Sequence, residues 1–246
     1  MSAGRLPTRP GRPANSGLDK AIGSNVYLKR AFEKAETVHE NTRERIIRAA
    51  EVLFATDGYA ATSMRQITDI AGVNIAAVNY HFGSKENLLT EILDRVVGPI
   101  NAERLDLLDG AEAGGSPDLT EVLTAFLLPD LHVLEQLSAR DPELPRFVAR
   151  MYTEASGLME RVMGRQFAET QRRFYAAFRA ALPQLGPEEI AWRLGCVVGI
   201  IVYMFAGVET AGMPSMIGRD PDQNLAQLLS VTVPLMNAPA VEVVTG

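Results

Sequence analysis

The chain has 246 residues, of which 47% are hydrophobic and 22% charged, and its formal net charge is −6. This balance is typical of a soluble globular protein with a sizeable core, and it excludes the strongly basic class of nucleic-acid-binding proteins. The charge is unevenly distributed: residues 1–98 carry 13 Lys and Arg against 11 Asp and Glu, whereas residues 99–246 carry 11 against 19. A mildly basic front and an acidic back suit a small nucleic-acid-binding module on a larger body.

Targeting features of the sequence point to the cytoplasm. The single cysteine, Cys196, lies in an apolar run, so the chain has no internal disulfide framework. The N-terminus carries Arg and Pro without an apolar core, which is not the pattern of a secretory signal. The longest uncharged apolar stretch, Leu194 to Val208, has 15 residues and falls short of the ~20 that a membrane span needs. We therefore expect a cytoplasmic protein with no membrane partner.

Residues 1–40 are expected to form an N-terminal extension that is at least partly disordered. Residues 1–17 are rich in Pro, Gly and Arg and show no hydrophobic period. Within them, Arg9 to Pro13 resembles the Gly-Arg-Pro core that lies in A·T-rich minor grooves. A disordered tail without function is the other interpretation of this arm.

Residues 41–97 are predicted to form helices with well-marked starts. Four residues that can cap a helix precede the apolar periods: Asn41, Ser63, Asn74 and Ser84. Ser63 and Gln66 form a capping pair, Gly72 permits a left-handed turn, and Gly98-Pro99 is expected to break or kink the last of these helices.

The remainder of the chain is also predicted to be helical. A cap-capable or flexible residue precedes proline at four points: Ser116-Pro117, Asp141-Pro142, Gly186-Pro187 and Asp220-Pro221. No sustained alternation with a period of two residues is present. We therefore expect an all-α protein of about nine helices, with a three-helix helix-turn-helix domain over residues 41–97 and a larger helical domain over residues 98–246.

The stretch from Thr62 to Lys85 predicts a DNA-binding helix-turn-helix, in which the second helix enters the major groove. Ile75 and Val78 are expected to face inward. The start of the first helix offers hydroxyls and a guanidinium to phosphate, and small side chains on the second helix allow close approach to bases. The predicted DNA-contacting residues are Thr62, Ser63, Arg65, Asn74, Ala76, Ala77, Asn79, Tyr80, His81 and Lys85.

Several of these residues have a structural alternative. Tyr80 and His81 can belong to the core, Asn79 can cap the end of its helix, and Lys85 can be an ordinary surface lysine. We interpret Asn79 as a reader of adenine, because its amide can pair with N6 and N7 of that base.

Taken together, these residues resemble the DNA-binding domain of the tetracycline-repressor (TetR-type) family of bacterial regulators. The resemblance covers residues 41–97 and includes Gly58, Tyr59, Thr62 and Ser63 at the entry, Ala71-Gly72-Val73 at the turn, and Tyr80 to Lys85 at the exit. It implies a homodimer that binds a palindromic operator, usually as a repressor, and that leaves the operator when a small ligand enters the C-terminal domain. The family usually has a tyrosine where this chain has Asn79, so the phosphate-supporting role of that tyrosine is not inherited here.

The C-terminal domain is expected to contain the dimer interface. The segment from Pro187 to Val208 is apolar on nearly all faces and must be buried on most of them. With the helix from about Pro221 to Met236, it is predicted to form a four-helix interface with a partner chain, as in the family; an ordinary central helix is the alternative. The predicted interface residues are Leu194, Val198, Ile201, Val202, Phe205 and Leu228.

The same domain is expected to bind a small apolar or amphipathic effector. Methionine and aromatic side chains suit an adaptable apolar cavity, and arginines can anchor an anionic head. The predicted ligand-binding residues are Phe126, Arg146, Arg150, Met151, Met159, Met163, Phe167, Phe174 and Arg193. The phrase from Val73 to Lys85, with Trp192-Arg193-Leu194, resembles regulators that answer to fatty acids or acyl-CoA, and regulators of drug efflux are the alternative.

An enzyme is not expected. The three histidines, His39, His81 and His132, lie far apart, and the sequence has no metal-spaced cluster, nucleophile elbow or nucleotide-binding loop. No cofactor or metal is therefore predicted. A helical adaptor that uses its helix-turn-helix to bind protein is the remaining alternative, and steep salt dependence of binding would distinguish DNA from such a partner.

Overall fold

The computed structural model describes residues 41–141, 144–153, 157–207 and 220–240, without the side chains of residues 158–160. Within these ranges the chain forms nine helices and no strand. They are α1 (Thr42–Thr56), α2 (Met64–Ala71), α3 (Ile75–Phe82), α4 (Lys85–Ala113), α5 (Leu119–Arg140), α6 (Leu144–Thr153), α7 (Gly157–Ala181), α8 (Pro187–Ala206) and α9 (Pro221–Asn237). The predicted all-α class and helix number are confirmed. The predicted N-terminal extension and its Arg9 to Pro13 arm lie outside the described residues.

The four predicted caps open helices α1 to α4. The side chain of each cap accepts a hydrogen bond from a backbone N–H of the first turn, as Asn74 Oδ1 does from Ala77 at 2.8 Å. At Ser63 the capping box is complete, because the Gln66 side chain also accepts from the Ser63 N–H. These local bonds satisfy donors that have no partner inside the helix, so the sequence signal and the structure agree here.

Of the four proline-marked starts, two agree with the structure and one differs, and Pro142 of the fourth lies outside the described residues. Pro187 and Pro221 open α8 and α9 as predicted. At α5, however, Asp118 is the cap in place of Ser116, and Pro117 precedes the helix. Asp118 accepts from the Glu121 N–H at 2.9 Å, and Glu121 accepts in return from the Asp118 N–H at 2.8 Å. This reciprocal pair moves the start two residues along the chain.

Helix α4 continues across the predicted boundary between the two domains. It runs unbroken from Lys85 to Ala113 with Pro99 inside it, so Gly98-Pro99 does not end a helix. A proline in a helix interior removes one backbone hydrogen bond. The buried neighbours Val96, Val97 and Ile100 hold this segment against the rest of the core and compensate for that loss. The DNA-binding unit and the body therefore share one helix and have no linker between them.

Helix α1 belongs to the core of both units. It packs against α2 within the DNA-binding unit and against α6 of the body. The ring of Phe54 stacks on Phe147 of α6, with centroids 6.3 Å apart, and also contacts Tyr59 at 5.4 Å. The buried apolar side chains form one continuous cluster through both units.

The turn between α2 and α3 depends on Gly72. This residue has φ +63° and ψ 38°, and its N–H donates to the Thr68 carbonyl. The Arg45 guanidinium of α1 donates to the Ala71 carbonyl and, at 3.0 Å, to the Gly72 carbonyl. The turn is therefore fixed both by its own backbone and by an arginine from α1.

Replacing Gly72 with Ala should lower the free energy of unfolding by about 1 kcal/mol or more, because L residues disfavour positive φ. A Cβ at this position would also lie 2.7 Å from Arg45 Nη2. Gly110→Ala is the matched control, since a Cβ there meets nothing within 4 Å inside α4. Urea unfolding of both variants measures the effect, and a Gly72→Ala protein as stable as the wild type would contradict it.

Candidate nucleic-acid interface and effector site

Helix α3 presents a polar face to solvent on an apolar base. Val78 and Phe82 are buried, and they hold the helix on the core of the DNA-binding unit. Tyr80 is 86% exposed, and Asn74, Ala76 and Asn79 are exposed beside it. Ala77 is half-buried. The prediction that Ile75 faces inward is wrong, since this side chain is 49% exposed at the first turn of the helix.

Two aromatic residues mark the exit from α3. The rings of Tyr80 and His81 pack edge to face with centroids 5.2 Å apart, and His81 lies 6.1 Å from the buried Phe82 ring. The phenol of Tyr80 therefore projects from the surface while its neighbours restrict it. Such a group can donate a hydrogen bond to a phosphate oxygen at little cost in conformational entropy.

Thr62 is a correction to the predicted set of DNA contacts. Its side chain is 2% exposed, and its hydroxyl lies 2.7 Å from the Gly58 carbonyl and 3.3 Å from the Leu53 carbonyl. The hydroxyl closes the loop between α1 and α2, so it is not available to phosphate. The sequence pattern placed Thr62 next to the helix start but could not show which way its side chain points.

Ser63 and Arg65 remain at the surface at the start of α2. Ser63 Oγ accepts from the Gln66 N–H at 3.2 Å and donates to Gln66 Oε1 at 2.7 Å, so a phosphate would have to compete for this hydroxyl. Arg65 is exposed. Its guanidinium adds a charge to the positive end of a short helix.

Lys85 is held in place by two contacts within the DNA-binding unit. Its Nζ donates to the Thr62 carbonyl at 2.5 Å and lies 4.1 Å from the centre of the Tyr59 ring. These contacts bring the start of α4 beside the start of α2. Lys85 is therefore half-buried and ordered, unlike the ordinary surface lysine that was the alternative.

Arg45 and Tyr59 are functional-site residues that the sequence analysis did not select. Arg45 binds the carbonyls of the turn before α3, and Tyr59 supports the ammonium group of Lys85. Tyr59 belongs to the motif at the entry of the helix-turn-helix, but the role of Arg45 depends on a contact 26 residues away in sequence.

In the body, an aromatic cluster lies between α5 and α7. The ring centroid of Phe126 is 5.2 Å from that of Phe174 and 6.0 Å from that of Phe178. Phe167 contacts Tyr152 of α6 at 6.0 Å. The structure thus brings together the predicted ligand residues Phe126 and Phe174 on one side and places Phe167 near α6. Met151 is buried and Met163 half-buried, while the side chain of Met159 lies outside the described residues.

A buried polar group stands within this aromatic region. Arg104 of α4 forms an ion pair with Asp130 of α5, donates to the Phe126 carbonyl at 2.9 Å, and places its guanidinium 4.4 Å from the Phe126 ring centre. Tyr152 of α6 lies close enough to this ion pair for both of its charges to act on the phenol. Asp130 Oδ1 accepts no hydrogen bond from a described residue.

The environment of this cluster raises the pKa of both acids in it. Burial raises the pKa of Asp130, although Arg104 opposes the effect, and burial together with the Asp130 charge raises that of Tyr152. Sequence reasoning missed Arg104, Asp130 and Tyr152. The available signal was a charged residue inside an otherwise apolar helical run, as at Asp130 directly after Pro129.

The predicted arginine anchors for an anionic head are wrong. Arg146 and Arg150 are exposed on α6 and do not point into the aromatic region. Arg193 is buried, but its guanidinium pairs with Glu189 at 2.6 Å and donates to carbonyls at the end of α9, including Met236 at 2.8 Å and Ala238 at 2.6 Å. Arg193 thus binds the last turn of α9, whose carbonyls have no partner within their own helix.

Helix α8 corrects the predicted dimer face. Ile201, Phe205 and Leu228 are buried inside the chain, so they are not available to a partner, whereas Leu194, Val198 and Val202 are half-buried. The exposed stripe lies beside these half-buried residues on the helix. Trp192 is 67% and Tyr203 43% exposed, and Gly195 and Gly199 lie between them with open space where a Cβ would be. Val231 of α9 is also exposed.

By length and composition, α8 is one helix in the described part of the chain that could cross a membrane. The described residues contain no group of three or more His, Cys, Asp or Glu side chains placed to hold a metal ion.

Two family models match the chain. "Bacterial regulatory proteins, tetR family" matches residues 46–92, and "Tetracyclin repressor-like, C-terminal domain" matches residues 124–238. The first covers the helix-turn-helix and its exit into α4, and the second covers most of the body.

Known proteins agree with this assignment. The HTH-type transcriptional repressor NicS of Pseudomonas putida is 36% identical over 78 residues, which is 30% of this chain and 37% of that protein. Among solved structures, the probable transcriptional regulatory protein RHA5900 has a TM-score of 0.57 at 18% identity and covers 80% of this chain and 100% of its own. NalD, described as the secondary repressor of the MexAB-OprM multidrug efflux pump in Pseudomonas aeruginosa, has a TM-score of 0.52 at 22% identity, with coverage of 78% and 93%.

The match to NicS spans about a third of its length. The structural similarities to RHA5900 and NalD, at about 20% sequence identity, show that the fold is shared. The agreement of both family models with the order and geometry of the helices identifies a transcriptional regulator and not an enzyme. The chain belongs to the tetracycline-repressor (TetR) family of bacterial regulatory proteins.

Proposed function

We propose that this protein is a ligand-responsive transcriptional repressor that binds a palindromic operator as a homodimer in the cytoplasm. The observation that carries the proposal is the face of α3, where exposed Asn74, Ala76, Asn79 and Tyr80 stand on a helix anchored by buried Val78 and Phe82. Two such helices would occupy successive major grooves, ~34–36 Å apart. A helical adaptor that binds protein through the same surface predicts no steep loss of binding with salt, which DNA binding requires.

The DNA contacts divide into two groups. We assign Arg65, Tyr80 and His81, with the starts of α2 and α4, to the backbone phosphates, and Ser63 joins them only if its capping bond is exchanged. Asn74, Ala76, Ala77 and Asn79 lie on the helix proposed to enter the groove. We assign Asn79 to base reading because its side chain is exposed one position before Tyr80. Lys85 contributes charge from a fixed position and also stabilises the loop at Thr62.

A partner chain accounts for the exposed apolar stripe on α8. Trp192 and Tyr203 flank Gly195 and Gly199 at helical spacing, so the small residues permit a close approach while the aromatic rings add contact area. Dimerisation would cover this stripe together with Val231 of α9. It also explains why a helix apolar enough to cross a membrane is only one-third buried within a single chain.

The effector is proposed to bind in the body, next to the aromatic cluster and the Arg104–Asp130–Tyr152 group. Apolar walls with a few convergent polar groups are typical of small-molecule sites. Tyr152 lies on α6, and α6 packs against α1 of the DNA-binding unit. A ligand that changes the position of Tyr152 would therefore act on α1, the helix that carries the helix-turn-helix. It can shift the protein from the DNA-binding state to the released state only by as much as its affinities for these two states differ.

Two effector classes remain in competition. A fatty acid or acyl-CoA needs a cationic anchor, but Arg146 and Arg150 are exposed and Arg193 binds α9, which leaves Arg104 as the buried arginine near the aromatic cluster. A cationic or hydroxyl-bearing xenobiotic would instead find an acceptor in Asp130 Oδ1. The second class would make the protein a regulator of drug efflux. The similarity to NalD shows a shared fold and favours neither effector class.

Single substitutions at the proposed DNA-binding face should distinguish residues that recognise bases from residues that bind the phosphate backbone. Asn79→Ala is expected to reduce discrimination at one base pair of each half-site by about 1–3 kcal/mol. Arg65→Ala should weaken binding to all sequence variants equally. It should also reduce, by about one, the slope of the logarithm of the binding constant against the logarithm of salt concentration. Binding to a panel of single-base operator variants at several salt concentrations measures both. A uniform loss for Asn79→Ala would remove it from the base-reading set.

Arginine placed on the α8 stripe should prevent dimerisation. Gly199→Arg puts a charge where close helix approach is proposed, and its open surroundings leave the fold of the single chain intact. Gly164→Arg, on the exposed side of α7 with nothing within 4 Å of its Cβ, is the matched control. Light scattering at micromolar concentration should give a monomer for the first variant and a dimer for the second. A dimeric Gly199→Arg protein would place the interface elsewhere.

Tyr152→Phe should weaken the response to effector and leave operator affinity unchanged. Loss of one hydrogen bond costs about 1 kcal/mol, or roughly a fivefold higher effector concentration for half-release of the operator. Tyr175→Phe, at another half-buried tyrosine of the body, is the control. Acyl-CoAs of several lengths and a set of cationic drugs serve as probes, and the class that releases wild-type protein identifies the effector. Equal sensitivity of both variants would exclude Tyr152 from the site.

A further inference from the structure

A cleft of about 250 Å³ lies at the junction between the DNA-binding unit and the body. Helices α1, α4 and α5 form its walls, with apolar side chains such as Val96 and Leu137 at its base. Five charged side chains line it: Glu44, Arg48, Glu51, Arg95 and Arg140. One contact among them joins the two units directly, because Arg140 Nη2 of α5 donates to Glu51 Oε2 of α1 at 2.7 Å.

The two partners of this pair lie in very different environments. The Glu51 side chain is 6% exposed, whereas that of Arg140 is 50% exposed. Removing Glu51 would leave a solvated guanidinium, which water stabilises. Removing Arg140 would leave a carboxylate inside the protein without that counter-charge.

Charged groups from all three helices face Glu51. Arg140 approaches from α5, Arg48 lies on the same helix, and Arg95 approaches from α4, where it donates to both carboxylate oxygens of Glu44 at 2.8 and 2.9 Å. Burial nevertheless raises the pKa of Glu51, in spite of these three arginines. The desolvation of the ionised carboxylate therefore opposes the attraction that it receives, and this opposition is common in buried ion pairs.

A further polar contact crosses the junction, because Gln166 of α7 donates to Asp94 of α4. The apolar contacts there have little directional preference. The stacking of Phe54 on Phe147 is the clearest of them. Apolar burial depends mainly on area, so it tolerates small rotations of one unit against the other. A hydrogen-bonded ion pair depends on the positions of its atoms, and it distinguishes one orientation from its neighbours.

We infer that the Glu51–Arg140 pair is a positioning contact that fixes the angle of the DNA-binding unit on the body, and thereby the half-site spacing that the dimer accepts. The inference rests on the proposed binding of a palindromic operator by a homodimer. Because α1 also carries Arg45, which binds the turn before α3, a rotation of α1 at the junction is transmitted to the recognition helix. The pair is therefore a specificity determinant remote from every DNA-contacting side chain.

The test uses the full-length protein and duplexes selected by the wild type from a random-sequence library. The spacer between the half-sites of the preferred duplex is then lengthened or shortened by one base pair, which rotates one half-site by roughly a tenth of a helical turn. Glu51→Gln and Arg140→Gln should each reduce the preference for the original spacer by about fivefold, the lower end of typical coupling between linked sites. Glu169→Gln, which removes an exposed pair with Arg172, should leave the preference unchanged.

Thermal stability separates positioning from ordinary stabilisation. Glu51→Gln should keep the wild-type Tm or raise it, because a neutral amide of the same shape avoids the desolvation of the buried charge. Arg140→Gln should lower the Tm, since it leaves the carboxylate in place without Arg140. A Glu51→Gln protein with a Tm as low as that of Arg140→Gln would make the pair a stabilising contact and overturn the inference.

The pH dependence of binding provides a second readout. Protonation of Glu51 removes the charge that Arg140 binds, so the spacer preference of the wild type should fall between about pH 8 and about pH 5.5, the direction expected for a carboxyl group whose pKa is raised by burial. The double variant Glu51→Gln/Arg140→Gln lacks this group and serves as the control for His81 and every other titrating residue. Identical pH profiles for the wild type and the double variant would count against the inference.

The experiments distinguish a failure of the proposed function from a failure of the proposed positioning role of the Glu51–Arg140 pair. A wild-type protein that selects no duplex overturns the proposed function, and this inference with it. A wild type that selects a palindrome, combined with a Glu51→Gln variant that keeps the full spacer preference, overturns the inference alone.

Discussion

The packing of α1 is the constraint on which the rest of the structure depends. One face of this helix completes the core under α2, and another lies against α6 of the body, where Phe54 stacks on Phe147. Its polar side chains extend both sets of contacts, since Arg45 binds the turn before α3 and Glu51 pairs with Arg140. A helix that belongs to two cores cannot move in one without disturbing the other, because protein interiors are close-packed. In the proposed function, this packing is the physical route by which an event in the body would reach DNA.

Several polar groups at the candidate DNA-binding surface are already used to build that surface. Thr62 bonds to carbonyls of the preceding loop, Ser63 completes a capping box, and Lys85 binds the Thr62 carbonyl over the ring of Tyr59. A short helix-turn-helix has few residues with which to satisfy its own helix ends. Its polar side chains therefore serve the fold first, and the groups that remain exposed, such as Tyr80, are the ones left for a partner.

The body shows the same competition between fold and function at its buried charges. Arg193, which from sequence could anchor a ligand, instead satisfies the carbonyls at the end of α9. Arg104 and Asp130 form the polar group inside the aromatic region, and one oxygen of Asp130 is without a bond from the described residues. Buried polar atoms are normally paired, so an exception in the interior of a helical body is informative. The sequence alone does not distinguish Arg193 from Arg104, and their different roles depend on the residues that surround each of them in the structure.

The sequence by itself determined the elements whose causes are local. The caps at Asn41, Ser63, Asn74 and Ser84, the left-handed Gly72 and the motif that identifies the DNA-binding domain all depend on residues within a few positions of one another. Only the tertiary structure decided which side of α8 is exposed, that α4 continues through Pro99, and that Arg45 and Arg140 act on residues 26 and 89 positions away. A helix that is apolar all round has no period from which to read its buried face, and long-range contacts leave no spacing in the sequence.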